Sequence, residues 1–211
     1  MKLHKIAIIG GTGKAGSFLV RKLIEKGYQI KLLLRNPENF PDQNPLIEIV
    51  KGDARDYDSV NELIKTCDTV ISTIGQPKGE KSIFSESTKN VILSLNSNKI
   101  KRYIVITGLN VNTPFDNKNE KVKMATEWMY QNYPETTLDK QKEYELLTES
   151  NLDWTLVRLP LIIQTDESFA TQTNLHDCIG ENISANDLSE FLISQIDDKT
   201  YFKKSPFLYN L

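Results

Sequence analysis

The sequence predicts an α/β fold, a doubly wound parallel sheet with helices on both faces. Short apolar runs rich in β-branched residues alternate with segments of helical periodicity along most of the chain. Glycines cluster between the first of these runs and the first helical segment. The length of 211 residues fits one α/β domain, so residues 1–211 are predicted to form a single domain.

The first predicted strand, residues 3–9, is mostly apolar and β-branched, as is typical of a strand buried on both faces. The next segment, 14–26, has apolar residues at helical spacing and ends before Gly27, a residue type that is common just after a helix. A second strand is predicted at 30–34. After a loop that contains prolines, a third strand is predicted at 46–50.

The later elements repeat this order. Three more helices each precede a strand, giving the pairs 57–65 with 69–73, 83–97 with 102–107, and 138–150 with 154–158. Residues 110–134 break the alternation and are interpreted as a loop followed by a helix. After Arg158 the chain is predicted to be irregular until a last helix at 187–196 and a short tail. Because the late segments 110–135 and 159–211 follow strand ends, they are expected to form the substrate side.

Composition limits the possible classes of partner. The chain has 26 Lys plus Arg against 28 Asp plus Glu, so its net charge of −2 indicates neither nucleic acid nor an anionic membrane. Cys67 and Cys178 are far apart and predict no disulfide framework. His4 and His176 have no second ligand at a useful spacing, so no metal site is predicted. The apolar run before the first glycine is too short for a signal peptide or a membrane span. We expect a cytoplasmic monomer or homodimer that binds a small-molecule substrate.

The glycine-rich turn is the main motif. Its sequence is Gly10-Gly11-Thr12-Gly13-Lys14-Ala15-Gly16, between the first strand and the first helix. Glycine permits a tight turn and a close approach to a pyrophosphate, whose negative charge the helix N-terminus attracts. A P-loop would need a glycine in place of Ile8 and a serine or threonine in place of Ala15. The turn therefore predicts a Rossmann-type dinucleotide site, with the candidate contacts Gly10, Thr12, Gly13, Lys14, Ala15 and Gly16.

Arg35 follows the second strand and favours NADP as the cofactor. Sites that prefer NAD usually carry Asp or Glu here, which accepts hydrogen bonds from the ribose hydroxyls. A guanidinium can instead bind a 2′-phosphate through two charge-assisted hydrogen bonds. The alternative is a solvated surface arginine. We predict that NADPH binds more tightly than NADH.

These features resemble the atypical short-chain dehydrogenase/reductase group that includes NmrA-like proteins and the flavin and biliverdin reductases. The resemblance covers nearly the whole chain. The matching pieces are Lys5 to Gly16 with Arg35, Gly52-Asp53, Ser72 to Gly75, Thr107, Leu147 to Pro160, and Ile183 to Phe191.

The resemblance implies positions for the cofactor contacts. Asp53 would lie beside the adenine, and Thr107 near the nicotinamide. The backbone beside the adenosine ribose and pyrophosphate would be that of Thr73, Ile74 and Gly75. The alternatives are that Asp53 caps the following turn and that Thr107 is an ordinary strand residue.

Thr107 and Lys140 are the candidate catalytic residues. The resemblance implies that Lys140 faces the cofactor ribose or the substrate. The alternative is that the charged stretch containing Lys140 and Glu143 forms a solvated helix face. The wider dehydrogenase family uses a tyrosine four residues before a lysine, and this sequence has no such pair. Gly108 stands where the flavin and biliverdin reductases often carry a serine.

The predicted activity follows from this set of residues. A flavin or similar conjugated acceptor can take a hydride while solvent supplies the proton, so the missing tyrosine–lysine pair is compatible with a reductase. We predict an NADPH-dependent, flavin reductase-like oxidoreductase that passes a hydride to a flat conjugated acceptor such as a flavin or quinone. The alternative is a non-catalytic, NmrA-like redox sensor that binds NADP. A sugar-nucleotide epimerase is disfavoured because it relies on the missing pair.

Four apolar residues of the late segment are spaced as on a helix: Phe115, Met124, Trp128 and Tyr130. Such a set is most simply interpreted as core packing. The alternative is the wall of a pocket for a flat substrate.

Overall fold

The computed structural model describes residues 4–40 and 44–211. Residue 3, predicted to begin the first strand, and residues 41–43, in the predicted loop before the third strand, lie outside the described residues. The strands are β1 (Lys5–Ile9), β2 (Gln29–Leu34), β3 (Ile47–Lys51), β4 (Thr69–Ser72), β5 (Arg102–Gly108), β6 (Asp153–Leu159), β7 (Leu161–Ile163), β8 (Thr171–Asn174), β9 (Asn182–Ser184) and β10 (Phe207–Asn210). The helices are α1 (Gly16–Glu25), α2 (Tyr57–Ile64), α3 (Phe84–Ser97), α4 (Glu120–Asn132), α5 (Pro134–Glu149) and α6 (Ala185–Ser194). None of these helices is both long enough and apolar enough to span a membrane.

Eight strands form one sheet in the order β3-β2-β1-β4-β5-β6-β10-β8. Every neighbouring pair is parallel except β10 and β8. The strand order runs outward from β1 in both directions, so a topological switch point lies between β1 and β4. Open α/β sheets bind their ligands at such a point, outside the carboxyl ends of the strands. The predicted doubly wound sheet is confirmed.

The central strands of the sheet are buried on both faces because helices pack on each side, and successive residues of a strand point to opposite sides. Ile6 and Ile8 of β1 belong to the core shared with α1 and α6. Ala7 and Ile9 belong to the core shared with α2, α3 and α5. The central strands are therefore continuous apolar runs, and their carboxyl ends are held in fixed relative positions.

Local chemistry sets several helix ends. The Asp56 carboxylate accepts the N–H of Ser59 at 2.9 Å where α2 begins. The Ser184 hydroxyl accepts the N–H of Asp187 at 3.0 Å where α6 begins. Gly27 has a φ of +78° directly after α1, a conformation that favours glycine. The predicted end of the first helix before Gly27 is confirmed.

The prediction of an irregular chain after Arg158, with only a last helix and a short tail, is wrong. β7 and β9 form a separate parallel pair, while β10 and β8 extend the main sheet beyond β6. The tail contains β10, which is buried. These strands have only three or four residues each, and β8 is the polar sequence TQTN. Such short segments have no periodicity to detect, and only pairing with a distant strand defines them.

Arg158 holds the late segments against the sheet. Its side chain is fully buried, and Nη1 pairs with the Asp116 carboxylate at 2.6 Å. Nε donates to the Ser205 carbonyl at 2.9 Å and Nη2 donates to the Leu175 carbonyl at 3.0 Å. The guanidinium carbon lies 3.6 Å from the Phe207 ring centroid. One side chain at the end of β6 therefore binds three separate loops.

Candidate functional site

A cleft of about 840 Å³ opens at the carboxyl ends of the six strands β1 to β6. This volume is within the range of ligand pockets in proteins. The predicted site residues on its wall are Gly10, Thr12, Gly13, Lys14, Ala15, Arg35, Asp53, Thr73, Ile74, Gly75, Thr107 and Lys140. The structure thus gathers residues from six separate parts of the chain. Five of these parts lie at or just after the ends of parallel strands, which meet at the same edge of the sheet, and the sixth is Lys140 of α5. Gly16 is the predicted contact that is not on the wall.

The turn after β1 is in tight contact with the end of β4. Gly10 has a φ of +81°, and a Cβ there would lie 2.8 Å from both the Ile74 nitrogen and the Thr73 carbonyl carbon. The Thr73 hydroxyl donates to the Gly10 carbonyl at 3.1 Å. A Cβ at Gly16 would overlap the same carbonyl oxygen. Gly16 therefore lets α1 approach the turn, which is a packing role.

Gly13 leaves room for a ligand. Apart from its chain neighbours, a Cβ there would meet only the Gly10 carbonyl oxygen within 4 Å, at 3.3 Å. α1 begins just beyond, with no side-chain cap at Ala15 and no acidic residue in its first turn. The N–H groups at a helix start carry partial positive charge and bind phosphate. The turn offers the space, the exposed backbone and the charge that a dinucleotide pyrophosphate needs.

An arginine–glutamate cluster lies beside the β2 end of the cleft, with Arg35 on the cleft wall and Arg55 and Glu80 next to it. Asp53 accepts the N–H of Arg55 at 2.8 Å, so it caps the following turn while it also lines the cleft. Arg35 Nη1 lies 2.9 Å from Glu80 Oε1, and Arg55 Nη1 lies 3.0 Å from Glu80 Oε2. Hydrogen bonding from Arg35 holds the pKa of the Glu80 carboxyl below its ordinary value. Sequence reasoning missed this cluster, because Glu80 lies 45 residues beyond Arg35 and no local spacing indicates the pair.

Thr107 and Lys140 lie at the β5 end of the cleft. The Thr107 hydroxyl is buried and has no hydrogen-bond partner among the described residues. The Lys140 ammonium nitrogen lies 4.7 Å from the Phe84 ring centroid. A Cβ at Gly108 would lie 3.7 Å from this nitrogen, which places Lys140 beside the residue that follows Thr107. Burial lowers the pKa of Lys140. Lys140 therefore lies on the cleft wall and not on a solvated helix face.

Glu143 is buried one turn further along α5, so its interpretation as part of a solvated face is wrong. Its side chain is only 2% exposed. Oε1 accepts from the Thr88 hydroxyl at 2.8 Å, and Oε2 has no partner among the described residues. The Thr88 hydroxyl also lies 3.1 Å from the Tyr103 hydroxyl. Burial raises the pKa of Glu143 to about 8, so the carboxyl is mostly protonated at neutral pH.

The predicted core packing of the late apolar residues is wrong for three of them. Phe115 is 69% exposed, Met124 is 68% exposed and Trp128 is 52% exposed. Tyr130 is half-buried. None of the four lines the cleft. Met124 and Trp128 are four residues apart on α4 and share a helix side, whereas Phe115 precedes that helix. Their spacing did not decide whether another element covers that side.

The late segments contribute one stretch to the cleft wall, residues 159–162, where β6 ends at Pro160 and the chain turns. No residue of 110–135 is on the wall. Residues 4–40 and 44–211 contain no group of three or more His, Cys, Asp or Glu side chains that could hold a metal ion.

Comparison of sequences identifies the family of the chain. The model of the NAD(P)H-binding family matches residues 10–199. The uncharacterized protein YwnB of Bacillus subtilis is 23% identical over 153 residues, which cover 72% of this chain and 70% of YwnB. Dihydroflavonol 4-reductase of Medicago sativa is 26% identical over 181 residues, covering 70% of this chain and 82% of that protein. Eugenol synthase 1 of Petunia hybrida is 32% identical over 108 residues, and this match spans only 33% of the synthase.

Comparison of structures supports the same fold. A short-chain dehydrogenase/reductase of Veillonella parvula, solved in complex with NADP, superimposes with a TM-score of 0.81 at 16% identity, covering 98% of this chain and 94% of that one. ChuY of Escherichia coli O157:H7, described as an anaerobillin reductase, superimposes with a TM-score of 0.80 at 18% identity, covering 98% and 97%. With the glycine-rich turn at the switch point and the family match over residues 10–199, the chain belongs to the NAD(P)H-binding family.

Proposed function

We propose that the protein is an NADPH-dependent reductase that passes a hydride to a flat conjugated acceptor such as a flavin, a quinone or a bilin. One observation carries this proposal. One cleft connects the glycine-rich turn with two polar groups, Thr107 and Lys140, that form no hydrogen bond or ion pair within the described residues. Relatives of this chain include reductases, and a similar fold has been solved with NADP.

The chain offers a contact for each part of the cofactor. The turn around Gly13 and the start of α1 would hold the pyrophosphate. Arg35 would bind the 2′-phosphate, and Asp53 would lie beside the adenine, both at the β2 end of the cleft. The backbone of residues 73–75 would lie along the ribose. When bound, the reduced nicotinamide supplies a hydride.

Thr107 and Lys140 would act at the reacting end. The unpaired Thr107 hydroxyl can donate a hydrogen bond to a carbonyl oxygen, and this hydroxyl is already held in place by the buried end of β5. The acceptor needs a proton as well as a hydride. The Lys140 ammonium can donate that proton, because burial lowers its pKa and so weakens its hold on the proton. This lysine would do part of the work that a tyrosine does in the wider dehydrogenase family.

The test is a titration of the purified protein with NADPH and with NADH, followed by addition of FMN, a small quinone or biliverdin while the absorbance of the reduced nicotinamide is recorded. Tight NADPH binding with acceptor-dependent loss of absorbance is expected. Tight binding without any loss, across all acceptors, would refute the reductase and favour an NADP-binding sensor. No binding of either nucleotide would refute both functions.

A further inference from the structure

The Glu80 carboxylate bridges two guanidinium groups at the β2 end of the cleft. One oxygen accepts from Arg35 at 2.9 Å and the other lies 3.0 Å from Arg55. Arg35 comes from the end of β2, and Arg55 comes from the loop between β3 and α2. Proteins often bind a phosphate between two arginines. A carboxylate can accept hydrogen bonds from the same guanidinium N–H groups.

Arg55 is fixed in this position by contacts other than Glu80. Its backbone N–H donates to Asp53 at 2.8 Å, and Nη1 lies 3.5 Å from the second Asp53 oxygen. Nη2 donates to the Lys81 carbonyl at 3.3 Å. The Arg55 side chain is only 24% exposed, compared with 51% for Arg35. Arg55 would therefore stay beside the cleft if the Glu80 carboxylate moved away.

Glu80 can move with little loss of packing. It belongs to the loop between β4 and α3, and its side chain is 39% exposed. Next to it, Gly79 has a φ of +76°, and no atom beyond its chain neighbours lies within 4 Å of the place of a Cβ. The loop is anchored further on, where the Ser82 hydroxyl donates to Asp139 at 2.6 Å. A rotation of the Glu80 side chain therefore breaks two ion pairs and leaves the anchor intact.

We propose that Glu80 is a specificity-determining residue, whose carboxylate holds Arg35 and Arg55 in the free protein and gives them up to the 2′-phosphate of NADPH. This inference rests on the proposed NADPH site. Arg55 then serves as a second ligand of the 2′-phosphate. NADH has no such phosphate, so the two ion pairs of Glu80 persist when NADH binds. Glu80 thereby reduces the preference for NADPH that two free arginines would produce.

The test compares dissociation constants for NADPH, NADH and adenosine 2′,5′-bisphosphate in the wild type and in Glu80→Gln and Arg55→Met variants. Glu62→Gln is the matched control, because it removes the same charge from α2, where Glu62 forms an exposed ion pair with Lys65 outside the cleft. Calorimetric titration measures each constant, and thermal melting checks that each variant is folded.

Glu80→Gln should tighten binding of NADPH and of the bisphosphate by about two- to five-fold. This is the change expected when an exposed carboxylate no longer competes with the 2′-phosphate for the two arginines. The gain should shrink at high salt. Arg55→Met should weaken both ligands by roughly ten-fold. NADH affinity should change by less than about two-fold in both variants. If Glu80→Gln leaves NADPH affinity unchanged, or changes NADH affinity equally, the inference is overturned while the proposed function stands. If the wild type binds neither nucleotide, the proposed function fails and this inference fails with it.

Discussion

Replacing Gly13 by alanine should weaken NADPH binding at least ten-fold while the protein stays folded. Gly13 is on the cleft wall and has no positive φ, unlike Gly10. Its added Cβ would lie 3.3 Å from the Gly10 carbonyl oxygen and otherwise extend into open space. The Gly10 carbonyl has to move by only a few tenths of an ångström. The free energy of unfolding should therefore fall by less than about 1 kcal/mol.

The same methyl group occupies space that a pyrophosphate needs. It would hold the phosphate oxygens away from the N–H groups at the start of α1. Each charge-assisted hydrogen bond lost costs about 1.5–3 kcal/mol. One lost bond therefore weakens binding by about 10- to 150-fold. We expect the dissociation constant for NADPH to rise at least ten-fold in Gly13→Ala.

The assay is a calorimetric titration with NADPH, combined with thermal melting followed by circular dichroism. Gly27→Ala is the matched control, because Gly27 has a φ of +78° and lies outside the cleft. This control should lose about 1–2 kcal/mol of stability and keep its affinity for NADPH. A folded Gly13→Ala protein that binds NADPH as tightly as the wild type would refute the placement of the pyrophosphate.

Three further predictions concern side chains around the site. Glu143→Gln should stabilise the protein increasingly as the pH rises from about 4.5 to about 8, because the wild-type carboxyl is ionised in the unfolded chain but protonated in the folded one over this range. The difference in free energy of unfolding between the variant and the wild type should grow by at most about 1.4 kcal/mol per pH unit. Denaturant unfolding measures this difference. Arg158→Met should lower the free energy of unfolding by about 3–5 kcal/mol, because it removes the buried guanidinium that pairs with the Asp116 carboxylate, which is only 11% exposed and keeps an ion pair with Lys118 at 3.5 Å. Adding Asp116→Asn should recover part of that loss. Lys140→Met should lower kcat with the natural acceptor by roughly 100-fold, and Thr107→Val should lower it by roughly ten-fold, with NADPH affinity nearly unchanged.

The predictions for Glu143, Arg158 and Lys140 each have a matched control. Glu145→Gln alters an exposed residue of α5, so its difference in free energy of unfolding from the wild type should not change with pH. If the difference for Glu143→Gln is also the same at all pH values, burial does not raise the pKa of Glu143. Arg21→Met breaks an exposed ion pair and should cost at most about 1 kcal/mol. Lys142→Met removes an exposed charge of α5 and should leave kcat unchanged. If Lys142→Met and Lys140→Met change kcat equally, Lys140 is not a catalytic residue.

The sequence predicted the first six strands well because their signals are local. Apolar runs such as residues 5–9 are buried on both faces of the sheet, so burial itself produces the pattern. Gly10 is identifiable because the turn requires a positive φ and a close approach to β4. Thr107 was singled out by the family resemblance, and it lies on the cleft wall because it comes near the end of a parallel strand.

Other features could not be predicted because they depend on distant partners. β8 and β10 pair with each other across more than thirty residues, and β8 has no apolar alternation. Glu143 belongs to a charged stretch of α5, and only the packing of α3 against α5 buries it. Met124 and Trp128 are four residues apart, the spacing that is typical of the buried side of a helix. No described element covers them, so both are exposed.

The sequence by itself determined the doubly wound α/β architecture and the position of the dinucleotide turn, because strand burial, helical periodicity and glycine conformation are properties of neighbouring residues. Only the tertiary structure decided which charged groups meet at and beside the cleft. It placed Glu80 between Arg35 and Arg55, and it set Lys140 beside the end of β5. Contacts of this kind join residues that are far apart in the chain, and their geometry is defined only after the helices have packed against the sheet.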